Sequence, residues 1–236
     1  VLEACHFHLV SQVYLGTRTY SFLKILGVMS NYKVALIIGA TGLTGSQLLR
    51  KLLYGSRYSK VISIGRRNMN LDLDALILES LEEHVIDFSR FEDHAHLFSG
   101  VCDVFCCLGY GTSPGGFHNV EFVYPSQSAH FAAMHNVEKF IVITGMLSNS
   151  KSSFELFRVK GELMDQVKTE DLNYTAFVQP ALIVGDRETP RSGEVAMYKC
   201  FKWISPVLEL IIKKPMYNPA VDIADAMLFI ATGDHE

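Results

Sequence analysis

Gly39, Gly42 and Gly45, within KVALIIGATGLTGSQLLRKLL (33–53), are the residues whose type and spacing most directly imply chemistry. A β-branched apolar run leads into them and a helical pattern leads away. In such a unit the first glycine allows a tight turn, the second lets backbone approach a pyrophosphate, and the third lets helix pack closely on strand. Thr41, Leu43 and Thr44 fill the turn. Phosphates then rest at the helix N-terminus, where unpaired N–H groups and the helix dipole favour negative charge. Glycines alone are ordinary turn formers; the order strand, turn, helix, strand makes this a candidate dinucleotide cradle.

The next strand ends in SIGRRN. A carboxylate near this point reads a ribose 2′-hydroxyl, whereas positive side chains accommodate a 2′-phosphate, so Arg66 and Arg67 favour NADP(H) over NAD(H). Asp87, at the end of a third strand, is placed either to accept from an adenine amino group or to cap the helix starting at Ser89.

The elements that must hold these residues alternate along the chain. Strands are predicted at 33–38, 60–64, 83–87, 102–108, 139–144 and 174–179, and helices near 43–54, 89–98, 119–136 and 153–169. The alternation implies an α/β fold with a doubly wound parallel sheet. Pro125 should start or bend its helix at 124–126, and 65–82 reads as irregular. Two further helical patterns, 193–213 and 220–231, predict a small C-terminal helical region that closes over the substrate end.

At 236 residues, one domain over 29–236 is expected, preceded by an N-terminal extension (1–28) of uncertain role. The formal charge of −4 argues against nucleic acid as a partner and favours a small molecule. Five cysteines without a CxxC pair suggest reduced thiols and a cytoplasmic setting, with mitochondrial association as the alternative if 1–28 is a targeting presequence. No uninterrupted apolar run reaches the roughly 20 residues of a membrane span. Histidine spacings, including His94 with His96 and His130 with His135, match no metal motif. The cysteines of VCDVFCCLG read as buried packing groups, and FKWISPVLELIIKKP as lid or core.

Together GATGLTG, SIGRR, VIDF, DVFCCLG, FIVIT and RVKGE, spread over about Lys33 to Ala231, resemble the atypical short-chain dehydrogenase/reductases, specifically the Tat-interactive-protein-like NADPH-binding group. The resemblance implies a Rossmann fold and a Ser, Tyr and Lys triad, with YxxxK on the helix after the fifth strand. It also implies that Leu108 and Gly109 approach the ribose and nicotinamide, and that Pro180 belongs to a turn beside the carboxamide. Here the lysine is Lys160, which the resemblance assigns to the nicotinamide ribose, but four residues earlier stands Leu156, which has no proton to give. The serine position falls on Thr144 or Gly145, and Thr144 is the one with a hydroxyl. Proton transfer by a positioned side chain contributes about a hundred- to ten-thousand-fold in rate. The sequence therefore predicts an NADP(H)-binding, reductase-like protein of weak or absent activity that serves in binding or regulation, with a protein partner in that role. The alternative is an active reductase of a small carbonyl or quinone that takes its proton from elsewhere, with Tyr110, Tyr124 and Ser148 as donors.

Overall fold

The structure, a computed structural model, describes residues 33–69, 74–109, 116–185 and 217–233. The extension 1–28, Tyr110 and the expected 193–213 helix lie outside the described residues.

Six strands form one parallel sheet in the order β3-β2-β1-β4-β5-β6. They are β1 (Val34–Ile38), β2 (Lys60–Gly65), β3 (Leu81–Val85), β4 (Asp103–Cys106), β5 (Lys139–Ile143) and β6 (Thr175–Val178). The central strands are continuous apolar runs because helices cover both faces. Alternate residues of β1 divide between two cores. Leu36 and Ile38 pack with Phe91, Phe98, Phe131 and Phe140 on one face, and Ala35 and Ile37 with Leu48, Leu49, Ile141 and Met227 on the other. The first core lies under a 3₁₀ segment (Phe88–Phe98) and two helices described below. The second lies under α1 (Leu43–Tyr54) and the C-terminal helix Ala220–Thr232. Strand order reverses between β1 and β4, which opens a crevice at their carboxyl ends, the usual ligand position in open α/β sheets.

Several boundaries differ from the sequence expectation. β3 spans 81–85 rather than 83–87: its register against β2 runs from Val61 with Leu81 to Gly65 with Val85, and Ile86 N–H makes a last bond to the Gly65 carbonyl. The irregular 65–82 stretch contains a single helical turn, α2 (Ala75–Leu78). β4 stops at Cys106, not 108, because β1 gives way to the glycine turn; Cys106 is buried, whereas Cys102 and Cys107 are only partly so. Residues 88–98 form 3₁₀ rather than α turns. In the 119–136 helix, a π turn (Asn119–Val123) precedes α3 (Tyr124–Met134), with Pro125 in its first turn, where a missing N–H is tolerated. α4 (Glu155–Val167) buries Val159, Leu163 and Val167 but leaves Phe154 exposed. Two short parallel strands, β7 (Leu182–Val184) and β8 (Tyr217–Pro219), were not anticipated and lead into the last helix, α5 (Ala220–Thr232).

The amino end of the sheet is locked by polar groups. Tyr58 donates to the fully buried Asp103 at 2.6 Å, and Arg57 stands 3.7 Å from the same carboxylate. Lys139 and Arg57 both donate to carbonyls at the end of α5, including Ala231.

Candidate functional site

The glycine turn sits where β1 ends. Gly39 has φ +86°, and a Cβ there would lie 2.9 Å from the carbonyl of Cys107, so glycine is required both for conformation and for approach to β4. At Gly45 a Cβ would come within 2.2 Å of the Gly39 carbonyl oxygen, which is how closely α1 packs on the turn. Gly39 N–H donates to Ile64 and Cys107 N–H to Ile38, which ties the turn to both neighbouring strands. α1 begins at Gly42 with no side-chain cap and no acid in its first turn. Its N-terminus thus keeps the field and donors that an anion would use. Thr41 is exposed at the apex, Leu43 half-buried, and the buried Thr44 hydroxyl has no hydrogen-bond partner among the described residues. An uncapped terminus, a side-chain-free approach and an unpartnered hydroxyl fit a pyrophosphate.

Arg66 and Arg67 follow Gly65 and are exposed, on the same sheet edge as the turn. Asp87 is exposed and accepts from Ser89 N–H at 2.9 Å, a bond that lowers its pKa and caps the 3₁₀ segment. The capping role is therefore realised. Leu108, partly buried, and Gly109, exposed, leave the end of β4, across from Gly39. Pro180 is buried after β6, and its carbonyl accepts from Met146 N–H.

Beyond β5, Thr144 is 3% exposed and its hydroxyl has no partner among the described residues. Gly145 faces Lys160: a Cβ on it would lie 3.3 Å from the lysine Cδ. The turn that follows contains Leu147 at φ +69°, an uncommon conformation for a leucine, and brings the Ser148 hydroxyl to the Gly145 carbonyl at 2.6 Å. Gln179, directly after β6, donates to that carbonyl at 3.3 Å. Gly161 lets the loop lie directly on α4, since a Cβ there would meet Ser150 N at 2.1 Å. Leu156, one turn before Lys160, is 45% exposed.

Lys160 is not a solvated helix lysine. Its side chain is 12% exposed and its Nζ lies 2.6 Å from Oε2 of Glu121, itself 6% exposed, on the π turn. Sequence reasoning missed Glu121. The available signal was an acid inside the otherwise apolar NVEFV, where burial demands a partner. Burial pushes the Cys106 thiol, at the end of β4, up to about 12, and Lys160 and Glu121 act on it in opposite directions. The structure thus brings Thr144, Gly145, Ser148 and Lys160 together beside the crevice whose other wall is the glycine turn.

A groove of about 450 Å³ on the outer face of α3, lined by Gln127, His130 and Phe131, includes none of these residues. Among the described residues no group of three or more His, Cys, Asp or Glu is placed to hold a metal ion. None of their helices is long and apolar enough to cross a membrane.

No family model matches the chain. Protein HTATIP2 of Rattus norvegicus is 31% identical over 172 residues, 72% of this chain and 70% of that protein. The mitochondrial protein FMP52-2 of Scheffersomyces stipitis is 28% identical over 168 residues, 67% and 69% of the two chains. Among solved structures, the Bordetella bronchiseptica enzyme WbmH in complex with NAD+ superposes with TM-score 0.61 at 16% identity, covering 86% of this chain and 73% of that one. MoeE5 in complex with UDP-glucuronic acid and NAD gives TM-score 0.61 at 14% identity, with 86% and 73% covered. Likeness at these identities establishes the Rossmann fold, and the match to HTATIP2 extends it to sequence. The chain belongs to the NAD(P)-binding, atypical short-chain dehydrogenase/reductase-like proteins that include HTATIP2 and FMP52.

Proposed function

We infer that this protein binds NADP(H) in the crevice between β1 and β4 and is a weak or inactive carbonyl reductase, acting as a cofactor-dependent binding or regulatory protein. The observation that carries the reading is an unbroken glycine cradle facing a site where Leu156 stands in place of the proton donor. The N–H groups at the start of α1 would hold the pyrophosphate, Arg66 and Arg67 the 2′-phosphate, and Lys160 the nicotinamide ribose. Asp87 retains acceptor capacity for the adenine amino group while it caps. Leu108, Gly109 and Pro180 would border the nicotinamide. A bound reduced nicotinamide supplies hydride, but a carbonyl oxygen also takes up a proton. Thr144 offers an orienting hydroxyl and no general acid of ordinary strength.

The alternative, an active reductase of a small carbonyl or quinone, draws support from Ser148, whose hydroxyl lies beside the Gly145 position and hence near the Lys160 stem. A mitochondrial rather than cytoplasmic setting draws support from the FMP52 relatives, which are named as mitochondrial proteins.

Calorimetric titration with NADPH and with NADH tests the binding reading. NADPH is expected to bind more tightly, and Arg66→Ala to weaken it about tenfold, as for loss of one charged hydrogen bond, while NADH is unaffected. Absence of binding to either nucleotide sinks the reading. Sustained NADPH turnover with aldehydes, ketones or quinones, abolished by Ser148→Ala, would establish the alternative.

A further inference from the structure

The buried pair between Lys160 and Glu121 has no counterpart in the expected triad. Both partners are at least 88% enclosed by the protein, judged by side-chain exposures of 12% and 6%. Taking two charges out of water costs several kcal/mol per ion, and an apolar pair at these positions would close the core without that cost. Glu121 is also delivered by unusual backbone. It lies on a π turn, a rare insertion frequently found at functional sites, and Val120 and Glu121 are the turn's buried residues. The lysine stem lies against Gly145, directly after Thr144 at the carboxyl end of β5: a Cβ on Gly145 would come within 3.3 Å of Lys160 Cδ.

We propose that Glu121 is the positioning residue of the nicotinamide-ribose subsite: it clamps the Lys160 ammonium at the crevice so that its remaining N–H donors meet the ribose hydroxyls. This rests on the dinucleotide-binding reading above. An ammonium has three donors, and the Glu121 bond uses one. A free lysine side chain must be ordered when a ligand arrives, whereas one already held by a buried carboxylate is preorganised. With no tyrosine at 156 to share the ribose, the placement of Lys160 depends on Glu121.

The test compares two probes on the full chain. NADPH carries the nicotinamide ribose, while 2′,5′-ADP has only the adenosine half and reports on the rest of the cradle. Glu121→Gln, close in shape, is expected to weaken NADPH about 10- to 100-fold, as for a lost charged hydrogen bond, and to leave 2′,5′-ADP within about twofold. On a Lys160→Met background, replacing Glu121 with Leu should cost no further NADPH affinity, because Glu121 acts through the lysine. Unchanged or tighter NADPH binding by Glu121→Gln overturns the proposal. So does equal weakening of both probes, which would mark a purely structural role, or an additional loss in the double variant. If the wild-type protein binds neither probe, the dinucleotide reading itself has failed; if it binds both, only the role of Glu121 is at stake.

Discussion

At residue scale, the site is defined as much by what two positions lack as by what others supply. Leu156 has no proton to give and Gly145 no side chain, whereas Lys160 has a carboxylate partner at 2.6 Å. Because Leu156 is 45% exposed, a larger polar side chain can stand there without displacing core. Leu156→Tyr would place a phenol one turn from the Lys160 ammonium, on the same helix face. Reductase activity toward simple aldehydes is expected to rise by about a hundredfold or more, the typical contribution of a positioned proton donor. Steady-state NADPH oxidation measures it, and no rise would mean that substrate geometry, rather than the missing proton, limits the chemistry.

At the scale of elements, the loop after β5 and helix α4 form one unit. Gly161 decides it, because its absent side chain lets Asn149 and Ser150 lie against the helix, which sets the height of Lys160 relative to the 145–148 turn. Gly161→Ala places a methyl group against backbone that has no rotamer with which to yield. It is expected to destabilise the protein by about 3 kcal/mol, the upper part of the usual range for overpacking, seen as a lower urea midpoint. Binding of NADPH should weaken with it, whereas 2′,5′-ADP binding to the folded fraction should not. The strand and helix at these positions were legible from sequence because apolar runs alternate with helical periods. The π turn was not, since nothing in residue type or spacing over 119–123 distinguishes a wider turn from the start of an α-helix.

At the scale of the molecule, the two ends of the sheet do different work. The carboxyl ends carry the crevice, and the amino ends are fastened by Tyr58, Arg57, Asp103 and Lys139. Desolvation by burial raises the Asp103 pKa, opposed by the Tyr58 hydrogen bond and the Arg57 charge. With the folded value above the unfolded one, the folded state holds the proton more tightly. This contribution to stability is full below the unfolded carboxylate value of about 3.9 and is lost as pH rises through the folded value. Asp103→Asn, which can still accept from Tyr58, removes that slope. Its stability relative to wild type is therefore expected to improve as pH rises above about 4, measured by urea midpoints across a pH series. A constant difference would mean that Asp103 has the same proton affinity folded and unfolded.

The sequence by itself determined the doubly wound sheet, the glycine turn, the basic residues after β2 and the leucine four residues before Lys160. Each depends on local periodicity, on the conformational freedom of glycine or on residue identity at a fixed spacing. Only the tertiary structure decided which side chains meet across long separations. It paired Lys160 with a carboxylate 39 positions away, buried Asp103 against Tyr58, and set the Gly145 turn on α4. Those meetings arise where separate crossovers converge on one sheet, and the free energy of enclosing a charge is fixed by everything that surrounds it, not by its neighbours in the chain.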